Sequence, residues 1–176
     1  MRLTPGPAGL ELALTGRAVA VGLAMAAGLA SAGANVLLVS RKASDGDQAA
    51  AEIAENYGVK ALTFAADVAD QAGMEAMAKF AYEAFGSIDI LINSAGINIR
   101  GAIDELSYED FTKVMEVNVN GTWLACRAVT HYMKEQKKGA IINLASTLGL
   151  VGLANRTPYT ASKGAVVQMT RALALE

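Results

Sequence analysis

Residues 88–96 read IDILINSAG. Apart from Asp89, the first half of this stretch is apolar at every position. A strand of that kind has to bury both of its faces, which happens when a parallel sheet is covered by helices above and below. It then breaks into small polar residues, Asn93 to Gly96, where a chain can turn and leave room for a ligand. Working outward, the same alternation repeats. Upstream, residues 70–86 (DQAGMEAMAKFAYEAFG) read as a helix stopped by Gly86, and residues 60–68 (KALTFAADV) as a strand. Before them, residues 43–58 read as a helix with Ser44 or Asp45 as N-cap and Gly58 as stop. Residues 35–40 (NVLLVS) form a second buried strand, and a helix fills the stretch up to about Ala32. The first strand is residues 10–16 (LELALTG). Downstream, residues 107–134 carry long helical patterns, residues 139–146 (GAIINLAS) a fifth strand, and a last helix starts near Pro158. Right-handed crossovers turn this order into a doubly wound α/β domain with a parallel sheet. No linker or repeat divides residues 1–176, so one domain is expected.

Composition agrees with that. Of 176 residues 53% are hydrophobic and 18% charged, which describes a packed interior. A net charge of −2 removes the simplest electrostatic case for nucleic acid or an anionic membrane. The single cysteine, Cys126, lies in an apolar stretch and reads as a core residue, which excludes a disulfide framework. The single histidine, His131, has no partner for a hydrolytic triad or a zinc site and reads as helix surface; no metal site is expected. Residues 134–138 (KEQKK) read as a solvated helix end. Residues 18–34 are apolar enough to suggest a leader, but the acidic Glu11 precedes them and a clean strand follows. A cytoplasmic protein with no membrane span is expected.

Ligands of doubly wound sheets bind beyond the carboxyl ends of the strands. Those ends are Thr15–Gly16, Ser40–Arg41, Asp67–Val68, Asn93–Gly96 and Ala145–Ser146. In TGRAVAVG (residues 15–22), Gly16 and Gly22 allow a tight turn and a close approach to a pyrophosphate at a helix N-terminus. Tight strand–helix packing would use the same glycines. At the end of the second strand an acid would suit a ribose 2′-hydroxyl; Arg41 and Lys42 suit a 2′-phosphate, favouring NADP, with NAD possible. In TPYTASKG (residues 157–164), Tyr159 and Lys163 lie four apart and share a helix face. A cation beside a phenol favours phenolate, which would make Tyr159 a proton donor and acceptor for a carbonyl/alcohol pair. Ser146, at the end of the fifth strand, could hold the carbonyl oxygen beside it.

Taken together, Thr15-Gly16…Gly22, Asp67-Val68, Asn93-Ser94-Ala95-Gly96, Asn118, Ser146 and Tyr159…Lys163 resemble the classical short-chain dehydrogenase/reductase pattern, in order and over nearly the whole chain. The resemblance implies a Rossmann-like sheet of order 3-2-1-4-5. It implies Tyr159 as general acid/base, Lys163 as its activator and holder of the nicotinamide ribose, and Ser146 as the group orienting the substrate. Asn118 would anchor a water in a proton relay. Asp67, with Val68, would meet the adenine; Asn93, Ala95 and Gly96 would line the cofactor cleft. The stretches 96–111 and 117–129 look most like gluconate 5-dehydrogenase-like enzymes of sugar acids and polyols, so a small carbonyl or alcohol substrate is implied. Arg100 or Arg156 could then meet a carboxylate. Full-length relatives pair their long helices between subunits, which implies a homo-oligomer.

The sequence departs from that pattern in three places. Ala20 replaces the middle glycine of the fingerprint, and Glu11 falls in a strand expected to be buried, so the first twenty residues match worst. Ser94 replaces the commoner asparagine. The family's last two strands are missing, which leaves the fifth strand as an uncovered apolar edge and suggests a C-terminally truncated domain. An inactive fragment or a non-catalytic dinucleotide-binding module is therefore the alternative reading. A sugar-nucleotide epimerase, which shares the Tyr-x-x-x-Lys pair, ranks third.

Overall fold

The computed structural model describes residues 11–15 and 19–176, with side chains from residue 21 onward. Expectations for Gly16, for the Thr15 and Glu11 side chains and for the methyl group of Ala20 lie outside the described residues. Five strands alternate with six helices: β1 (Glu11–Thr15), α1 (Val19–Ser31), β2 (Asn35–Ser40), α2 (Ser44–Tyr57), β3 (Ala61–Ala65), α3 (Gln71–Phe85), β4 (Ile90–Asn93), α4 (Tyr108–Met115), α5 (Gly121–Gln136), β5 (Ala140–Asn143) and α6 (Thr157–Leu173). A π-helical turn (Glu116–Asn120) joins α4 to α5, and a 3-10 turn (Thr147–Gly149) follows β5. The strands form one sheet of order β3-β2-β1-β4-β5, every neighbour pair parallel. This is the expected order.

The strand period decides which layer each side chain joins. In β2, Leu37 and Val39 enter one core with Met74, Met77, Leu91 and Val129. Val36 and Leu38 enter the other, with Ala26, Ala30, Ala50, Ile53 and Ile92. Successive residues of a strand point to opposite faces, so an all-apolar run feeds two cores at once. On α3 the buried residues are Met74, Met77, Ala78 and Ala81, one stripe at helical spacing. Asp70 caps α3, its carboxylate accepting from the N–H groups of Ala72 and Gly73 at 3.2 and 3.1 Å. Gly86 ends it at φ 89°, a left-handed conformation that glycine adopts without a side-chain clash.

One local expectation falls differently. The cap position of α2 is Ala43, with no side-chain cap bond, and Ser44 is already helical. Asp45 and Asp47 in the first turn favour that helix end through the dipole instead. Residues 134–138 are the solvated helix end expected, with Lys134, Glu135, Lys137 and Lys138 all exposed. Lys138 reaches the nearly buried Asp89 at 3.1 Å, and the Gln136 amide bonds both the N–H and the carbonyl of Ile88 at 3.0 Å. His131 is exposed, its ring 3.8 Å from that of Tyr132. Cys126 is buried as expected. Among the described residues no cluster of His, Cys, Asp or Glu is arranged for a metal, and no helix is long and apolar enough to cross a membrane.

Candidate active site

A cavity of about 120 Å³ opens over the carboxyl ends of β2, β3 and β4. Its lining includes Ser40, Arg41, Asp67, Val68, Ala95 and Gly96, brought together from three strand ends as the sequence suggested. The apolar walls come from Val39, Val68 and Val117, surfaces suited to a flat aromatic base. Ile97, Asp45 and Lys113 also line it. Lys113 and Val117 were not legible beforehand, because α4 and the π turn reach the cavity only through the tertiary fold. At its polar rim the Asp67 carboxylate accepts from the Ala69 N–H at 3.0 Å, and the Ser40 hydroxyl donates to the Lys42 carbonyl at 2.6 Å.

Gly22 lies inside α1 opposite the end of β4. A methyl group there would sit 3.6 Å from the hydroxyl of Ser94. That hydroxyl is buried and, among the described residues, has no hydrogen-bond partner. Asn93 is placed differently from the cavity residues. Its amide donates to the side-chain oxygen Oδ1 of Asn143 on β5 at 2.8 Å and to the Cys126 sulfur at 3.3 Å. Burial pushes the Cys126 thiol up to about 11, against weaker opposing contacts from Asn143 and Asn93.

The second cluster lies where β4 and β5 end against α6. Tyr159 is half-buried and Lys163 buried on one face of α6, with the amine nitrogen 5.8 Å from the centre of the phenol ring. That amine donates to the Leu144 carbonyl at 2.6 Å. Burial lowers its pKa from the ordinary lysine value. A methyl group at Gly96 would lie 3.6 Å from the same amine and 3.4 Å from the Asn118 side-chain oxygen, so Gly96 bridges the cavity and this cluster. On the other side Gly149 packs so tightly that an added Cβ would come within 2.7 Å of the Lys163 carbonyl. Only glycine permits that approach.

Asn118 sits in the π-helical turn, an irregularity that recurs at functional sites because it re-aims a side chain. Fully buried, its amide holds both backbone groups of Ile97, accepting from the N–H at 2.8 Å and donating to the carbonyl at 2.9 Å. Its amide nitrogen also donates to the Ser162 hydroxyl at 2.9 Å. Ser146 opens the 3-10 turn after β5, its oxygen accepting from the Leu148 N–H at 3.2 Å. Arg100 is exposed, and Arg156 is half-buried at the start of α6.

A parallel sheet wound on both faces, with an apolar-walled, polar-rimmed cavity at its strand ends, defines a doubly wound α/β protein, and the residues lining the cavity fit a dinucleotide. The chain belongs to the short chain dehydrogenase family, whose model matches residues 12–176. It is 39% identical over 166 residues to the 2-(R)-hydroxypropyl-CoM dehydrogenase of Xanthobacter autotrophicus, covering 93% of this chain and 66% of that one. Gluconate 5-dehydrogenase of Gluconobacter oxydans is 37% identical over 169 residues, covering 96% and 65%. Its presence among the relatives agrees with the branch that residues 96–129 suggested. A crystal structure of NAD+-bound xylitol dehydrogenase superposes with a TM-score of 0.90 at 31% identity, covering 94% of this chain and 64% of that one. The chain thus spans about two thirds of the length of the proteins it matches. These relatives support a nicotinamide dinucleotide as the cofactor.

Proposed function

We propose that the chain carries the cofactor-binding and acid/base machinery of an NAD(P)-dependent oxidoreductase that interconverts a carbonyl and a secondary alcohol on a small polyol or sugar acid. The observation that carries this reading is the Tyr159–Lys163 pair on one face of α6, meeting Asn118 and Gly96 at the strand ends beside the cavity. A bound nicotinamide would supply or accept the hydride. Toward it the protein contributes binding, orientation and one proton. Asp67, Val68 and Val117 would hold the adenine, and Ala95 and Gly96 the adjoining ribose. Thr15, Gly16 and Gly22 complete the proposed cofactor set; Asn93, which the resemblance put in the cleft, instead ties β4 to β5 and Cys126. Arg41 beside Ser40 suits a ribose 2′-phosphate, so NADP is preferred.

Tyr159 would donate its phenolic proton to the carbonyl oxygen during reduction and recover it from the hydroxyl during oxidation. Lys163, buried and aimed past Tyr159, would stabilise the phenolate and hold the ribose hydroxyls. Ser146 would orient the substrate oxygen, and Asn118 would hold the relay between α6 and the loop after β4. A homo-oligomer formed through α4, α5 and α6 is part of the same reading.

Titration with NADPH and with NADH, followed by nicotinamide fluorescence and melting temperature, tests the cofactor. Saturable binding, tighter for NADPH and weakened by Arg41→Ala, is expected. Turnover on polyols or keto acids should fall by at least ~100-fold in Tyr159→Phe, with binding retained. The second reading is a dinucleotide-binding module without turnover. Tight binding with no turnover on any of those substrates would select it.

A further inference from the structure

We propose that Ser162, which the family pattern above does not use, is a positioning residue joining Asn118 to the helix that bears Tyr159 and Lys163; its functional meaning rests on the acid/base reading just given. Helix α6 is held by few buried side chains. Its buried residues are Pro158, Ser162, Lys163 and Val166. Helix α3, by contrast, buries the stripe Met74, Met77, Ala78 and Ala81. The apolar members of the α6 set are Pro158 and Val166, against four apolar residues on α3. Hydrogen bonds therefore carry a larger share of fixing the register of α6.

Ser162 is 0% exposed, and its hydroxyl is used twice. It donates to the Tyr159 carbonyl at 2.7 Å and accepts from the Asn118 amide nitrogen at 2.9 Å. A helical serine commonly makes only the first of these, back-bonding its own preceding turn. The second is tertiary. Because the Asn118 amide also holds both backbone groups of Ile97, the loop after β4, the π turn and α6 meet at one hydroxyl. Removing it leaves a buried amide hydrogen without a partner and frees the first half of α6 to shift. The acid/base pair sits on that half, where a displacement of ~1 Å is enough to spoil a reacting geometry. The far half has its own pin, the Asn143 amide donating to the Thr170 hydroxyl at 3.0 Å.

Amide hydrogen exchange and NADPH titration of Ser162→Ala, Ser162→Thr and Thr170→Val test the proposal. Ser162→Ala is expected to speed exchange about tenfold both in the first half of α6 and in residues 94–98, and to weaken NADPH binding about tenfold, the size of one lost hydrogen bond. Ser162→Thr, which keeps the hydroxyl, should restore both. Thr170→Val should speed exchange only in the last turns of α6 and leave NADPH binding unchanged. Should the alanine variant not fold, Ser162→Cys, a weaker donor and acceptor, should give the same paired response at smaller size. Faster exchange in α6 without a change in residues 94–98 would overturn the proposal, as would a paired exchange response with NADPH affinity intact. If the native chain binds neither NADPH nor NADH, the cofactor reading fails, and the paired exchange response alone then decides the link through Ser162.

Discussion

Strands β2 and β5 are built from similar residues, NVLLVS and AIIN, and end up in different surroundings. In β2 the residues from Val36 to Val39 are all buried, because β1 and β3 flank it and helices cover both faces. In β5 the alternation is exposed and half-buried, and Ile142 is 47% exposed. Among the described residues β5 pairs with β4 alone, and the helix beside it, α6, buries Ser162 and Lys163 along with Pro158 and Val166. Apolar composition thus makes a strand buriable; its neighbours decide whether it is buried. The β2 half of the sheet is held by the hydrophobic effect on both faces; in the β5 half, hydrogen bonds join the apolar contacts of Ile141 and also place the acid/base pair.

The sharpest way to break the comparison is to damage the apolar half. Leu37→Ala, in the fully buried centre of β2, should lower the unfolding free energy by about 2–5 kcal/mol in a urea titration. An effect as small as that of a β5 substitution would mean the halves do not differ in this way.

The next effect is set by pH. The Cys126 thiol has an ordinary value of 9.0 and is held at about 11 by burial. Between those values the unfolded chain has lost this proton and the native chain keeps it. Stability is therefore fully present below pH 9 and falls as pH rises toward 11, by ~2–3 kcal/mol from this group. Unfolding curves for Cys126→Ala should lack that decline. Buried Lys163 acts with the opposite sign: its native pKa is lowered, so the unfolded chain holds more protons just below pH 10.5 and stability rises with pH there. Comparing the native chain with Lys163→Met isolates that rise.

Smaller effects separate the strand from its cover. Asp70→Ala removes the cap of α3, which covers one face of β2, and should cost about 1 kcal/mol with the sheet intact. Ile142→Lys on β5 should change stability by no more than ~0.5 kcal/mol while reducing concentration-dependent association, read by light scattering, because a charge blunts an open edge.

How much of this was legible varies with the physics involved. The run of residues 88–96 announced a buried strand and a polar exit, and the structure has both. Helix stops at Gly58 and Gly86 were readable because a left-handed C-cap selects glycine. The Asp67, Ala95 and Gly96 positions were readable because they follow strands directly. Lys113, Val117 and Ser162 were not. They sit in helical stretches where a lysine reads as surface, a valine as core and a serine as neutral, and nothing local says that the helix end meets a cavity or that a hydroxyl meets Asn118. Lys138 is solvated, as it read, but its partner Asp89 was not legible, because only the fold brings the two together.

The sequence by itself determined the alternation of strands and helices, the parallel sheet and the polar strand ends, since periodicity, glycine stops and apolar runs act over a few residues. Only the tertiary structure decided that Asn93 turns away from the cavity toward Asn143 and Cys126, and that Asn118 is held in a π turn against Ser162. Those choices depend on satisfying buried polar groups whose partners lie 33 to 50 residues away along the chain. A desolvated amide must find a partner wherever the fold supplies one, and local pattern carries no record of which residue that will be.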